Sequence, residues 1–263
     1  MLMAVASPAL AEHAWGPYHW ARTTTSFDLI VVNSTTSDWD AYVTRAAADW
    51  SEASPLNLVE DPNGASSRTE RRQCLAPAGL VRICNLAYGW TGWLGVAGIS
   101  VDVDGHISAG YTKLNDTYFA TSHYDTPAWK QSVTCQELGH NVGLAHQDED
   151  FGNGSLFSCM DYQDPPYEYP NDHDYAQLDA IYSHLDGYDS YAAGGADGGG
   201  GEPGEGSGCN SPPGKGCNKA RVGDNREAGW GMSLGRRGQS ETFLRIDRDG
   251  TRHITHVLWV AGR

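Results

Sequence analysis

Apolar and polar positions change period several times along the first 190 residues, and each change predicts an element. Phe27-Asp28-Leu29-Ile30-Val31-Val32-Asn33 is a β-branched run closed by Asn, which predicts a strand. Beyond it Trp39, Tyr42, Val43, Ala46, Ala47 and Trp50 recur at helical spacing. They predict a helix opening at Ser37, with Asp40 three residues on as its capping-box partner. Residues 56–59 alternate and residues 81–85 are again β-rich, so two more strands follow. Residues 98–103 and 106–114 read as a strand pair joined at Asp104-Gly105. Thr126 as N-cap and Pro127 in the first turn open a second long helix, which Gly143 ends after Val142. A last helix follows Asn171-Asp172, with Tyr175, Leu178, Ile181, Tyr182 and Leu185 along one face.

The pattern then stops. Residues 192–208 are mostly Gly, Ala, Glu and Pro, a composition that buries no core and reads as a flexible linker. It resumes in the tail, where 242–246 and 253–260 flank Asp249-Gly250 as a hairpin. Residues 1–11, ending Ala9-Leu10-Ala11, read as a signal-peptide remnant. The expected division is therefore 1–11, a main domain over 12–191, the linker, and a small β tail over 209–263.

Charge separates these parts further. The tail carries ten Lys/Arg against five Asp/Glu, +5, and residues 1–208 carry 8 − 28 = −20, which together give the net −15 of the chain. An acidic balance of that size excludes nucleic acid as the main partner. The basic tail suggests contact with an anionic surface. No apolar run of about 18 residues exists to span a membrane. Nine Trp and 13 Tyr exclude disorder throughout. Six cysteines, paired by proximity as Cys74–Cys84, Cys135–Cys159 and Cys209–Cys217, point to a secreted, oxidising setting.

The chemistry lies between residues 135 and 162. In Cys135-Gln136-Glu137-Leu138-Gly139-His140-Asn141-Val142-Gly143-Leu144-Ala145-His146, positions 136 and 140 share one helix face. Side chains there can hold one ion from the same side, and Glu137 can reach a water on that ion. Gly143 lets the chain swing back so that His146 adds a third donor. Three protein ligands with an open position suit hydrolytic zinc. Farther on stands Ser158-Cys159-Met160-Asp161-Tyr162.

These two segments together resemble the metzincin metallopeptidases, with their HExxHxxGxxH motif and later methionine turn. Ser158-x-Met160-x-Tyr162 looks like the turn of astacin-like and serralysin-like members. His106-Ile107-Ser108-Ala109-Gly110, Asn115-Asp116-Thr117-Tyr118-Phe119 and Cys135-Gln136-Glu137 also look like a secreted bacterial matrixin-like group. The resemblance implies an α+β fold: a twisted mixed sheet with an antiparallel edge strand, an active-site helix and a Met-turn. It implies a zinc endopeptidase with Glu137 as general base, Met160 beneath the metal, and Tyr162 as a further ligand or oxyanion stabiliser. A protein or peptide substrate would lie extended along the edge strand, within 94–103.

One departure stands out. The first His of the motif is Gln136 here, a neutral amide and a poorer zinc ligand. Four outcomes are open: Gln136 ligates with His140 and His146; Tyr162 or Asp148 completes the set; another metal is preferred; or the protein is an impaired peptidase that binds peptides or surfaces. His106 and His123 are weighed as accessory ligands and set aside as single histidines. His173 reads as a cap. Asp102 and Asp104, and the run 148–150, lack calcium-loop spacing and read as solvated acidic loops.

Overall fold

β1 (Phe27–Ser34) buries Leu29 and Val31 completely and takes a neighbour on each side, as its apolar run requires. β2 (Leu56–Asp61) and β3 (Val81–Leu86) flank it, both parallel. β5 (Ile107–Asn115) runs parallel to β3, and β4 (Trp93–Val101) pairs antiparallel with β5. The structure, a computed structural model, describes residues 13–64, 67–192 and 227–262. Residues 1–11, most of the linker, Cys209 and Cys217 lie outside the described residues. The other two disulfides, Cys74–Cys84 and Cys135–Cys159, are present.

Helix α1 (Ser37–Trp50) lays Trp39, Val43, Ala46 and Trp50 on the sheet. The Ser37–Asp40 capping box does not form. Thr36 is the N-cap, without a side-chain cap bond, and Asp40 instead accepts from Nδ2 of Asn33 at 3.3 Å. Two short helices, α2 (Arg68–Gln73) and α3 (Asp116–Phe119), have no counterpart in the apolar pattern. Helix α4 (Pro127–Asn141) follows its signals closely: Thr126 Oγ1 accepts from Trp129 N at 3.2 Å, and Gly143 takes φ +102°. Helix α5 (Asp172–Ile181) carries a full capping box between Asn171 and Asp174. It ends before Leu185, which is exposed rather than on the buried face.

The tail departs most from expectation. After α6 (Glu227–Trp230), β6 (Met232–Arg237), β7 (Ser240–Ile246) and β8 (Arg252–Trp259) form an antiparallel meander. β8 pairs with β4 from Trp93↔Trp259 to Val101↔Arg252, so the sheet has eight strands in the order β2-β1-β3-β5-β4-β8-β7-β6. β4 is therefore antiparallel, as expected, but is not an edge. Both its sides are hydrogen-bonded, and a peptide cannot add along it. The cause is visible in β8, which is buried on both faces. Ile254 and Leu258 join the cluster beneath α1 and α4, whereas Val257 and Trp259 join Trp93, Val96 and Trp230 on the other face. Each such side chain contributes roughly 1.5–3 kcal/mol by leaving water, which holds β8 in the interior.

Candidate metal centre

Helix α4 is buried along most of its length, and its C-terminal turn sets the centre. Gly139 leaves room for Met160, whose Sδ lies 2.7 Å from where a Cβ on Gly139 would stand. Gly143 does the same for the carbonyl of Tyr18, at 2.5 Å, and its positive φ turns the chain back. That reversal brings His146 to His140, with their Nε2 atoms 3.0 Å apart. The Cys135–Cys159 bridge ties α4 to the segment bearing Met160 and Tyr162.

Each ring is held from outside. His140 donates from Nδ1 to the Leu144 carbonyl at 2.8 Å, and His146 donates from Nδ1 to the Glu149 carboxylate at 3.0 Å. Both acceptors can only accept, so both Nε2 atoms carry lone pairs. The lone pair of His140 Nε2 therefore points at His146 Nε2, 3.0 Å away, whose own lone pair meets the Gln136 amide nitrogen at 2.7 Å. A cation between the two rings would take up both lone pairs.

A third imidazole completes the group, and it was not among the residues expected from the sequence. His256, on β8 opposite Ala97 of β4, offers a ring nitrogen within 4.8 Å of those of His140 and His146. Its ring centroid is 4.2 Å from that of His140 and 4.6 Å from that of His146. A signal for it exists. Strand alternation places residue 256 on the face of Ile254 and Leu258, so HITHVLW carries a His on a core-facing stripe.

Glu137 is fully buried with neither carboxylate oxygen hydrogen-bonded, and Oε2 lies 3.7 Å from the unpartnered Nδ1 of His256. Burial pushes its carboxyl well above the usual range. Burial likewise holds His140 and His256 well below the ordinary imidazole value, helped by the charges of neighbouring histidines. Neutral imidazoles are the form that ligates metal. Burial works against the Glu149 carboxylate, but the bond to His146 and nearby donors bring it below its ordinary value, so it stays ionised behind His146. The donor set of three imidazoles, an uncommitted carboxylate and outer partners on two rings suits zinc.

The other expected residues are placed as follows. Gln136 reaches the cluster through its amide nitrogen, which lies 2.7 Å from His146 Nε2 and donates to it. Tyr162 is buried, with its hydroxyl 3.4 Å from His256 Nε2. Asp148 spends its carboxylate on Asp150 N and Asn153 Nδ2 and does not join the imidazoles. His123 pairs with Asp164, and His173 stacks on His13. Asp102 accepts three backbone N–H bonds from residues 104–106, as a loop residue does. His146 borders a groove of about 1090 Å³ that is also lined by Trp15, Glu149 and Arg236.

No protein-family model matches the chain, and no curated relative does. Two solved structures align with part of the chain. High choriolytic enzyme 1, a hatching-enzyme zinc protease of the medaka fish Oryzias latipes, is 10% identical with a TM-score of 0.35, over 63% of this chain and 94% of that one. Archaemetzincin from Archaeoglobus fulgidus, solved with malonate, is 14% identical with a TM-score of 0.33, over 57% of this chain and 99% of that one.

Proposed function

We propose that the chain is a secreted, zinc-dependent endopeptidase of metzincin type in which His256 takes the metal place that Gln136 leaves. The observation that carries this reading is the convergence of three imidazoles beside the unpartnered, buried carboxylate of Glu137. The disulfides favour an oxidising compartment. No helix among the described residues is long and apolar enough to cross a membrane.

His140, His146 and His256 would hold the ion. Zinc bound there would polarise a carbonyl and lower the pKa of water. Glu137, its basicity raised by burial, takes the proton of the attacking water and delivers it to the leaving amine. Tyr162 keeps its proton, because burial and then the charges of Glu137 and Glu149 push its phenol well up, and it donates a hydrogen bond to the oxygen that gains charge. The Gln136 amide N–H that now meets the lone pair of His146 Nε2 would be displaced by zinc on that atom. Peptide reaches the centre from the groove beside Trp15 and His146.

One observation favours a second reading, an impaired peptidase that serves as a peptide-binding module: β8 covers the side of β4 that would otherwise take substrate. Zinc content and hydrolysis of an unstructured protein substrate separate the two, measured on wild type, Glu137→Ala and His256→Ala. Zinc in wild type with activity lost in Glu137→Ala supports the peptidase. Zinc bound by an inactive wild type supports the binding module.

A further inference from the structure

Outside that centre, three segments distant in sequence bring histidines to one carboxylate. His106 sits in the turn between β4 and β5, His19 lies in the N-terminal stretch, and His184 and Asp186 follow α5. The Nε2 atoms of His106, His19 and His184 lie 3.3, 3.5 and 3.6 Å from the same atom, Oδ1 of Asp186. The donor atoms of His19, His106 and Asp186 are all within 4.8 Å of one another. The structure assigns His19, His106 and Asp186, we infer, to a second zinc site that is structural in kind, with His184 beside the same carboxylate oxygen.

The outer hydrogen bonds carry the argument. His19 Nδ1 is 3.0 Å from the Pro17 carbonyl, which can only accept, so Nδ1 carries a proton and Nε2 is the nitrogen that can ligate. His106 Nδ1 is 2.9 Å from the Tyr188 hydroxyl oxygen, whose own proton goes to Asp102 Oδ2. The phenol oxygen therefore accepts, and Nε2 of His106 is the nitrogen that can ligate as well. Asp186 Oδ2 accepts from Arg22 N at 2.9 Å, which turns Oδ1 inward. Two ring nitrogens thus face one carboxylate oxygen, an arrangement that a cation in place of their protons would hold. Zinc ligands at 2.0–2.1 Å in a tetrahedron stand about 3.3 Å apart, close to the distances of His19 and His106 Nε2 from Asp186 Oδ1. An outer partner behind each of these three donors is the usual support for such a site.

Such a site has mechanical work to do. It would clamp the segment after α5 to the N-terminal stretch and the β4–β5 turn. Two of these segments hold the end of α4: Trp20 Nε1 donates to Asn141 O at 2.9 Å, and the Tyr182 hydroxyl donates to Val142 O at 3.0 Å. Immediately beyond, Gly143 turns the chain toward His146.

The test counts zinc by mass spectrometry on full-length protein saturated with zinc and then dialysed. Wild type should hold two ions per chain. His106→Ala should hold one, and so should His140→Ala/His146→Ala, which removes the first centre alone. A single zinc retained in His106→Ala but lost from the double variant overturns the second site, as does zinc-free wild type. A single zinc lost in His106→Ala and kept in the double variant upholds this site and sinks the first. Should His106→Ala not fold, cobalt(II) added to the double variant decides. Intense visible absorption of a four-coordinate ion is expected, and its absence overturns the assignment.

Discussion

β2, β1, β3 and β5 run parallel and all fall within residues 27–115, whereas β4 finds β8 only across α4, α5 and the glycine-rich stretch. β8 is buried as deeply as β1 and β3, although β6 is exposed throughout, and one cluster draws on both regions: His140 and His146 come from α4 and its turn, His256 from β8. What differs is how locally each is encoded. The first half shows that caps, turns and periodicity suffice when partners are near in sequence. The second shows that a strand's neighbour is decided by which faces must be buried. Here that decision turns the expected substrate edge into an interior strand and imports a metal donor.

The largest effect should come from the first half. Glu137→Gln removes the base and keeps the volume, so kcat on an unstructured protein substrate should fall by about 10²–10⁴, with zinc content unchanged. Loss of zinc together with activity would mean that Glu137 is a structural partner of His256 rather than a base. Next in size is the contribution of the second half. His256→Ala should weaken zinc binding at the first centre by about 100-fold or more, since even outer partners of metal ligands contribute about 10–100-fold. Gln136→Ala should change it by less than about tenfold, because the amide meets His146 through nitrogen. Competition with a chromophoric chelator measures both. The reverse ranking would return the third ligand to α4 and make β8 only a cover.

Helix α4 was legible in the sequence because its determinants are local: Thr126, Pro127 and Gly143 each act within a turn of the helix end. The neighbourhood of Glu137, His140 and His146 was legible for the same reason. The capping box at Ser37 was misread because Asn33, on the preceding strand, captures Asp40. Leu185 was misread because a run of helical spacing does not reveal that the chain leaves the helix after Ile181. His256 was not legible as a ligand, since its partner residues lie more than a hundred positions away and only the alternation in β8 hints at its face. His106 suffered likewise. Alone it looks structural, and its companions His19 and Asp186 are brought in by tertiary contacts.

A third effect joins both halves through protonation. Burial, then the charges of His173 and His146, lower His13 to about 4, and burial holds His140 and His256 well below their ordinary value. In the unfolded chain each titrates near 6.5. As pH falls through that value the unfolded state binds more protons than the folded one, so stability drops and keeps dropping toward pH 4. Glu137, raised well above its ordinary value, works in the opposite direction above about pH 4.5, as do Asp49, Asp116, Asp161 and Asp174, each raised by burial. A fourth lowered imidazole, His253, works with the other three. The melting temperature of metal-free protein should therefore fall by several degrees between pH 7 and pH 5, and zinc-loaded protein should fall more steeply because protons compete for the same nitrogens. A melting temperature flat across this range would show that the imidazoles are hydrated and not enclosed by β8.

The smallest effect is the sharpest on whether the halves are one body. Ile99 of β4 and Ile254 of β8 stand opposite each other in register, and both are buried in the cluster beneath α4. Removing one methylene from either should cost about 0.5–1.5 kcal/mol. If β6–β8 fold with the main sheet, Ile99→Val and Ile254→Val lower the midpoint of the same single denaturant transition by similar amounts, with the slope unchanged. If the tail is an appended unit, Ile254→Val leaves the main transition where it is and shifts a separate, earlier one. That second outcome would free the edge of β4 without unfolding the rest, and would take His256 away from the other two imidazoles. The pairing seen here, continuous over most of β4, argues for one transition, because separating the strands exposes Leu94, Ile99, Ile254 and Leu258 to water together.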